Sequence, residues 1–120
     1  MNHYEDSEQI CLFDWAALQS CKYPELNMLF HIPNGGKRNA REGARFKRMG
    51  VKPGVPDLFL PVPRGKYHGL FIELKSASGR PTDNQKEWLG QLSALGYAAC
   101  ICFGCEEAER DIIKYLESKL

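Results

Sequence analysis

No apolar run in this sequence approaches the roughly 18 residues that a bilayer-spanning helix requires, so a helical membrane span is excluded. The opening residues, Met1-Asn2-His3-Tyr4-Glu5-Asp6, are polar and acidic and lack the basic-then-apolar order of a secretion signal. An intracellular location, cytoplasmic by default, is therefore expected, with no membrane partner. Cysteine is sparse and odd in number. The 5 residues Cys11, Cys21, Cys100, Cys102 and Cys105 are too unevenly placed for the disulfide framework of a small secreted domain, and most are expected to be reduced. Repeats, low-complexity tracts and interdomain linkers are missing as well. Neither sign of charge dominates, since 16 Lys and Arg face 15 Asp and Glu for a net charge of +1.

What is present is a folded-domain composition: 43% hydrophobic, 26% charged and 11% aromatic residues, outside the disordered and fibrous ranges. At 120 residues the chain reads as one domain over residues 1–120. A domain of this size buries roughly two-thirds of its unfolded surface.

The near-neutral total hides a local excess. Between residues 37 and 52 lie Lys37, Arg38, Arg41, Arg45, Lys47, Arg48 and Lys52 against the single acid Glu42, so this stretch carries +6 and the rest of the chain −5. Two readings stand side by side: a solvated helix face, or a surface for an anionic partner, above all a phosphate backbone.

Apolar positions Ile10, Phe13, Trp15, Ala17 and Leu18 fit a loosely amphipathic helix over residues 4–21, with Asp6 or Ser7 as N-cap and Pro24 marking its end. Residues 26–32 read as a short strand stopped by the turn cluster Pro33-Asn34-Gly35-Gly36. The basic segment predicts a helix over 39–49 with Gly50 as its stop. Residues 58–60 and 70–75 read as strands paired in a hairpin through Pro63-Arg64-Gly65-Lys66. Trp88, Leu89, Leu92 and Leu95 recur at helical spacing in residues 82–95 as core positions, and an apolar strand over 97–103 precedes a last helix over 106–120. A helix crossing between two strands favours a mixed sheet with at least one parallel pair and helices on its faces, an α/β or α+β class.

The informative chemistry is Asp57 followed, after fifteen residues, by Glu73-Leu74-Lys75. Side chains alternate along a strand, so Glu73 and Lys75 share one face while Ile72 and Leu74 take the other. A buried carboxylate is costly unless paired or bound to metal. A hairpin partner that brings Asp57 beside Glu73 makes a hard-oxygen pocket suited to Mg²⁺ or Mn²⁺. Lys75 facing that pocket would orient a water and offset charge at phosphorus, so phosphodiester hydrolysis fits the set. The plain alternative is a surface ion pair on an edge strand.

At these residues the sequence resembles the VRR-NUC (virus-type replication-repair nuclease) domains of the PD-(D/E)XK superfamily. The resemblance runs over about residues 8–116 and rests on Gly54-Val55-Pro56-Asp57-Leu58-Phe59-Leu60, Phe71-Ile72-Glu73-Leu74-Lys75, Gly79-Arg80-Pro81-Thr82-Asp83-Asn84-Gln85 and Gly96-Tyr97. It implies a restriction-endonuclease-like core with a mixed sheet of about four strands flanked by helices. Asp57 and Glu73 are implied as metal ligands, the Leu74 carbonyl as a further ligand and Lys75 as the catalytic lysine. A glutamate of the first helix completes the set; Glu8 is the best match, with Glu5 about one turn earlier. Gln85 is implied as an active-site helix residue, while Thr82-Asp83-Asn84-Gln85 equally fits a capping box. His31 and Asn34 stand where the family has a strand leading into Asn-Gly; a packed or solvent-facing His31 and a turn-forming Asn34 are the plainer readings. Arg80 reads equally as a DNA contact and as a solvated loop charge. Likeness to stand-alone members of the family implies a homodimer cutting branched DNA, four-way junctions in particular. A nonenzymatic DNA-binding module and an RNA-directed nuclease are the alternatives.

Cys102 and Cys105 form one Cys-x-x-Cys pair, half of a zinc site, and read as small hydrophobes of a core strand, so no structural zinc is expected. Phe13 and Trp15 flank Asp14 and do not easily both face inward, which leaves apolar surface for a partner.

Overall fold

Alternation of large apolar residues builds the sheet. The structure, a computed structural model, describes residues 3–33 and 39–120. Its elements are α1 (His3–Gln19), a 3-10 turn (Pro24–Met28), β1 (Phe30–His31), α2 (Ala40–Arg48), β2 (Leu58–Leu60), β3 (Leu70–Lys75), α3 (Asp83–Ala94), β4 (Ala98–Phe103) and α4 (Cys105–Leu116). The sheet has the order β1-β2-β3-β4. β1, β2 and β3 run antiparallel, with Leu58 opposite Ile72 and Leu60 opposite Leu70, so the expected hairpin is formed. β3 and β4 run parallel, with Leu70 opposite Ala98 and Lys75 opposite Phe103. A parallel pair needs a crossover, and α3 supplies it.

One sheet face carries Leu58, Leu60, Leu70, Ile72, Leu74 and Cys102, which with Leu12, Ala108 and Ile112 of α1 and α4 are fully shielded from solvent. The other face carries an aromatic ladder: Phe59 stacks on Phe71 at 4.2 Å between ring centroids, and Phe71 meets the edge of Tyr97 at 5.3 Å. Register explains the ladder, because Phe59 and Phe71 are cross-strand partners. At the far end of the core, the Tyr115 hydroxyl donates to the Val62 carbonyl (2.6 Å) and Arg64 Nε donates to the Leu116 carbonyl (3.1 Å), which ties α4 to the hairpin connector.

Several boundaries differ from the sequence reading. α1 already includes residue 3, so Asp6 and Ser7 lie inside the helix rather than capping it. Its buried positions are Glu5, Leu12 and Ala16, while Ile10 and Leu18 are 63% and 76% exposed. Phe13 and Trp15 both pack against the core in part, so the large apolar side chains left exposed on α1 are Tyr4, Ile10 and Leu18 instead. The first strand shrinks to two residues because Pro24 opens a 3-10 turn through Met28. α4 ends at Leu116, with the chain turning at Ser118, whose φ is 58°. No helix among the described residues is long and apolar enough to cross a membrane.

Candidate active site

The strands place one acid from each side of the hairpin at its open end. Asp57 precedes β2 directly after the buried Pro56, and its Oδ2 accepts the Leu74 N–H at 2.9 Å. Its main-chain carbonyl accepts the Ile32 N–H at 2.6 Å and faces His31 Nδ1 at 2.9 Å, so β1 braces the residue from behind. His31 is thus neither idle packing nor solvent-facing; the ring holds the backbone that carries Asp57.

Glu73 is 1% exposed, although alternation puts it beside Phe71 rather than among the leucines. Its Oε2 lies 3.8 Å from Lys75 Nζ, and its Oε1 is buried with no hydrogen-bond partner among the described residues. The carboxyl is pushed up to about 9, first by burial and then by the charge of Asp57 beside it, while Lys75 pulls the other way. Lys75 itself is 8% exposed and also sits 3.7 Å from Glu5 Oε1 on α1. Gly79 closes this side: a Cβ there would stand 3.3 Å from the Lys75 Cβ and 3.4 Å from Glu5 Oε1.

A Pro-Asp ahead of one hairpin strand and a Glu-x-Lys ending the next now share one pocket. The VRR-NUC domain family matches residues 5–105. The chain belongs to the VRR-NUC family. A solved structure described as a VRR_NUC domain protein is 35% identical, with a TM-score of 0.83, and the match covers 98% of this chain and 91% of that one. No curated protein matches the chain. A VRR-NUC domain is a nuclease domain of the PD-(D/E)XK type, and Pro56-Asp57 with Glu73-Leu74-Lys75 spells that pattern here.

Within this VRR-NUC domain the glutamate of the first helix that reaches the pocket is Glu5. Glu8, the expected residue, is spent elsewhere: its Oε2 accepts the Cys105 N–H at the start of α4, where Gly104 has no side chain to cap the helix. Packing of α1 explains the choice of Glu5. Positions 5, 12 and 16 lie on one helical face, so an acid at 5 is drawn to the sheet with Leu12 and Ala16.

Gln85 forms the capping box: its Oε1 accepts the Thr82 N–H (2.8 Å) while its own N–H donates to Thr82 Oγ1 (3.2 Å). That reading of the helix start is the one the structure displays. α3 does bear on the site through the loop before Asp57, because Trp88 Nε1 donates to the Pro53 carbonyl at 3.1 Å. Gly54, at φ +88°, lies so close to α3 that a Cβ would come within 2.7 Å of the Asn84 backbone carbon.

Of the basic residues, Arg41, Arg45, Lys47, Arg48 and Lys52 are exposed in or just after α2, and Arg80 is exposed beside Gly79. Asn39 starts α2 by accepting the Glu42 N–H at 2.8 Å. Lys37, Arg38 and Asn34 lie outside the described residues.

The pocket passes a test for a hard divalent cation. Its acids outnumber its lysine, and a buried carboxylate oxygen without a hydrogen-bond donor has the character of a metal ligand. The carboxylates do not close into a cage; among the described residues, the three-ligand groups within 4.8 Å are both built on cysteines. An open arrangement of oxygen donors suits Mg²⁺ or Mn²⁺, which keep several waters for substrate phosphates.

Proposed function

We propose that this VRR-NUC domain is a metal-dependent endonuclease that hydrolyses DNA phosphodiesters, with branched DNA such as four-way junctions as substrate. The observation that carries the reading is Glu73, buried with one oxygen unpartnered between Asp57 and Lys75. Asp57 and Glu73, joined by Glu5 and the Leu74 carbonyl, would hold Mg²⁺ or Mn²⁺. When bound, that ion lowers the pKa of a coordinated water and neutralises phosphate charge.

The chain's own groups supply the rest. Lys75, held between Glu5 and Glu73, directs its ammonium at the attacking water and at the negative charge that builds on the phosphate oxygens. Water adds to phosphorus and releases a proton to solvent, one P–O ester bond breaks, and the departing sugar oxygen takes up a proton in turn. The Leu74 N–H, the Ile32 N–H just after β1 and the His31 ring hold Asp57 in place, so little reorganisation is needed at the moment of reaction. Lys37, Arg38, Arg41, Arg45, Lys47, Arg48, Lys52 and Arg80 would grip backbone phosphates, which position the duplex without reading its bases. Exposed Ile10 and Leu18 on α1 suit a homodimer, whose two sites would make paired cuts, and the enzyme would act inside the cell.

The test is cleavage of a labelled four-way junction beside linear duplex and single-stranded RNA, with Mg²⁺, Mn²⁺ or EDTA, in wild type, Lys75→Ala and Asp57→Asn. Metal-dependent junction cutting lost in both variants supports the reading. Binding without cutting under every condition makes the chain a DNA-binding module instead.

A further inference from the structure

Away from the acidic pocket, three metal-binding side chains converge on the opposite sheet face. Cys100 and Cys102 are two apart on β4, so strand alternation points both thiols toward α4. Their sulfurs stand 3.8 Å apart, and Cys102 Sγ donates to Asp111 Oδ2 of α4 at 3.3 Å. All three ligand atoms lie within 4.8 Å of one another. Two sulfurs bound at about 2.3 Å to a tetrahedral ion would be about 3.8 Å apart, and a sulfur and an oxygen about 3.5 Å. Two edges of the group, Cys100 to Cys102 and Cys102 to Asp111, therefore already match the edges of a tetrahedron around a thiophilic ion, and the third lies within 4.8 Å.

The fourth corner has somewhere to go. Cys100 and Asp111 line a surface cavity of about 590 Å³ shared with Lys66, Tyr67 and Tyr97, which gives an entry path and room for a water. Cys102 and Cys105, which the sequence reads as small hydrophobes of a core strand despite their Cys-x-x-Cys spacing, are not the pair brought together here. In the fold those two part company, with Cys105 grouped with Cys11 and Glu109 across α1 and α4.

We propose that Cys100, Cys102 and Asp111 form an open, three-ligand site for a thiophilic divalent cation of the zinc and cadmium class, chemically distinct from the oxygen-lined pocket at Asp57 and Glu73. Binding replaces the thiol protons, so about two protons leave per ion. Held there, the ion ties β4 to α4 and stabilises the folded chain by an amount that grows with the logarithm of free ion above its dissociation constant.

The experiment uses the full chain carrying Cys11→Ser, which breaks the other cysteine group, reduced and titrated with Cd²⁺ while thiolate-to-cadmium absorbance and proton release are followed. The expected result is one equivalent bound with the thiolate band and an upward shift of Tm. Adding Asp111→Asn, close in shape to the native residue, weakens binding by about tenfold or more, and adding Cys100→Ser removes the band. The proposal is overturned by absence of the band in the Cys11→Ser protein, or by unchanged binding in the Cys100→Ser and Asp111→Asn double variant. Should Cys100→Ser fail to fold, Asp111→Asn decides alone.

Discussion

At the end of β3 and in α2 the molecule holds charge in opposite ways. Glu5, Glu73 and Lys75 are 7%, 1% and 8% exposed, whereas no residue of α2 is buried. Burial makes the first group expensive and aimed; it is retained although Glu73 Oε1 has no hydrogen-bond partner among the described residues. Exposure makes the second group cheap for the fold and sensitive to salt, worth little until a polyanion arrives. Mutations in the first region should therefore trade stability against chemistry, and mutations in the second should change affinity alone.

The hardest test of that contrast is Asp57→Asn or Glu73→Gln, which keeps shape and removes an oxygen able to carry the charge that a metal ligand needs. Each should lower metal-dependent cleavage by about a thousandfold, read in single-turnover assays, without loss of DNA binding. If cleavage persists, the buried acids are not the site.

Next in size is the split between Glu5 and Glu8. Glu5→Gln should cost cleavage about a hundredfold with Tm little changed, while Glu8→Gln should cost about 1 kcal/mol of stability through the lost α4 cap and leave Mn²⁺ binding intact. Thermal melts with and without Mn²⁺ would reveal a reversal of these roles.

Glu73 also sets a pH signature. Because its folded carboxyl is pushed up to about 9, the metal-free fold is most stable with Glu73 protonated, loses stability as pH climbs from the ordinary carboxylate range toward that value, and changes no further above it. Glu73→Gln should thus raise stability at pH 8 by on the order of a few kcal/mol, and the gain should vanish in acid. Denaturant titrations at both pH values check it, and an equal effect at the two would refute the buried-charge account.

The smallest effects belong to α2. Arg41→Ala and Arg45→Ala should each flatten the log-affinity against log-salt slope by about one and leave stability within about 0.5 kcal/mol. A fall in Tm instead would mean that the helix packs where the structure shows it solvated.

Much of this was legible along the chain. Leu58 to Leu60 and Leu70 to Ile72 are short apolar runs and Ile72 to Lys75 alternates apolar with charged, so the hairpin and the meeting of Asp57 with Glu73 follow from a short stretch of chain. Thr82 with Gln85 announced the start of α3 equally plainly, because a cap is satisfied within one turn. The inward face of α1 was harder to see, since one end of it is Glu5, and an acid on a buried stripe blurs the hydrophobic period. His31 gave no local sign of its role, because its partner is a backbone carbonyl on another strand.

The sequence by itself determined the class of fold, the strands of the hairpin and three residues of the acidic pocket, since these depend on strand pattern and on a hairpin that closes over a short stretch of chain. Only the tertiary structure decided that Glu5 and not Glu8 reaches Lys75, and that Cys102 sits with Cys100 and Asp111 rather than with Cys105. Glu5 and Glu8 lie about a turn apart on α1, and what separates them is how α1 packs against β3 and the start of α4, a geometry fixed by contacts distant in sequence.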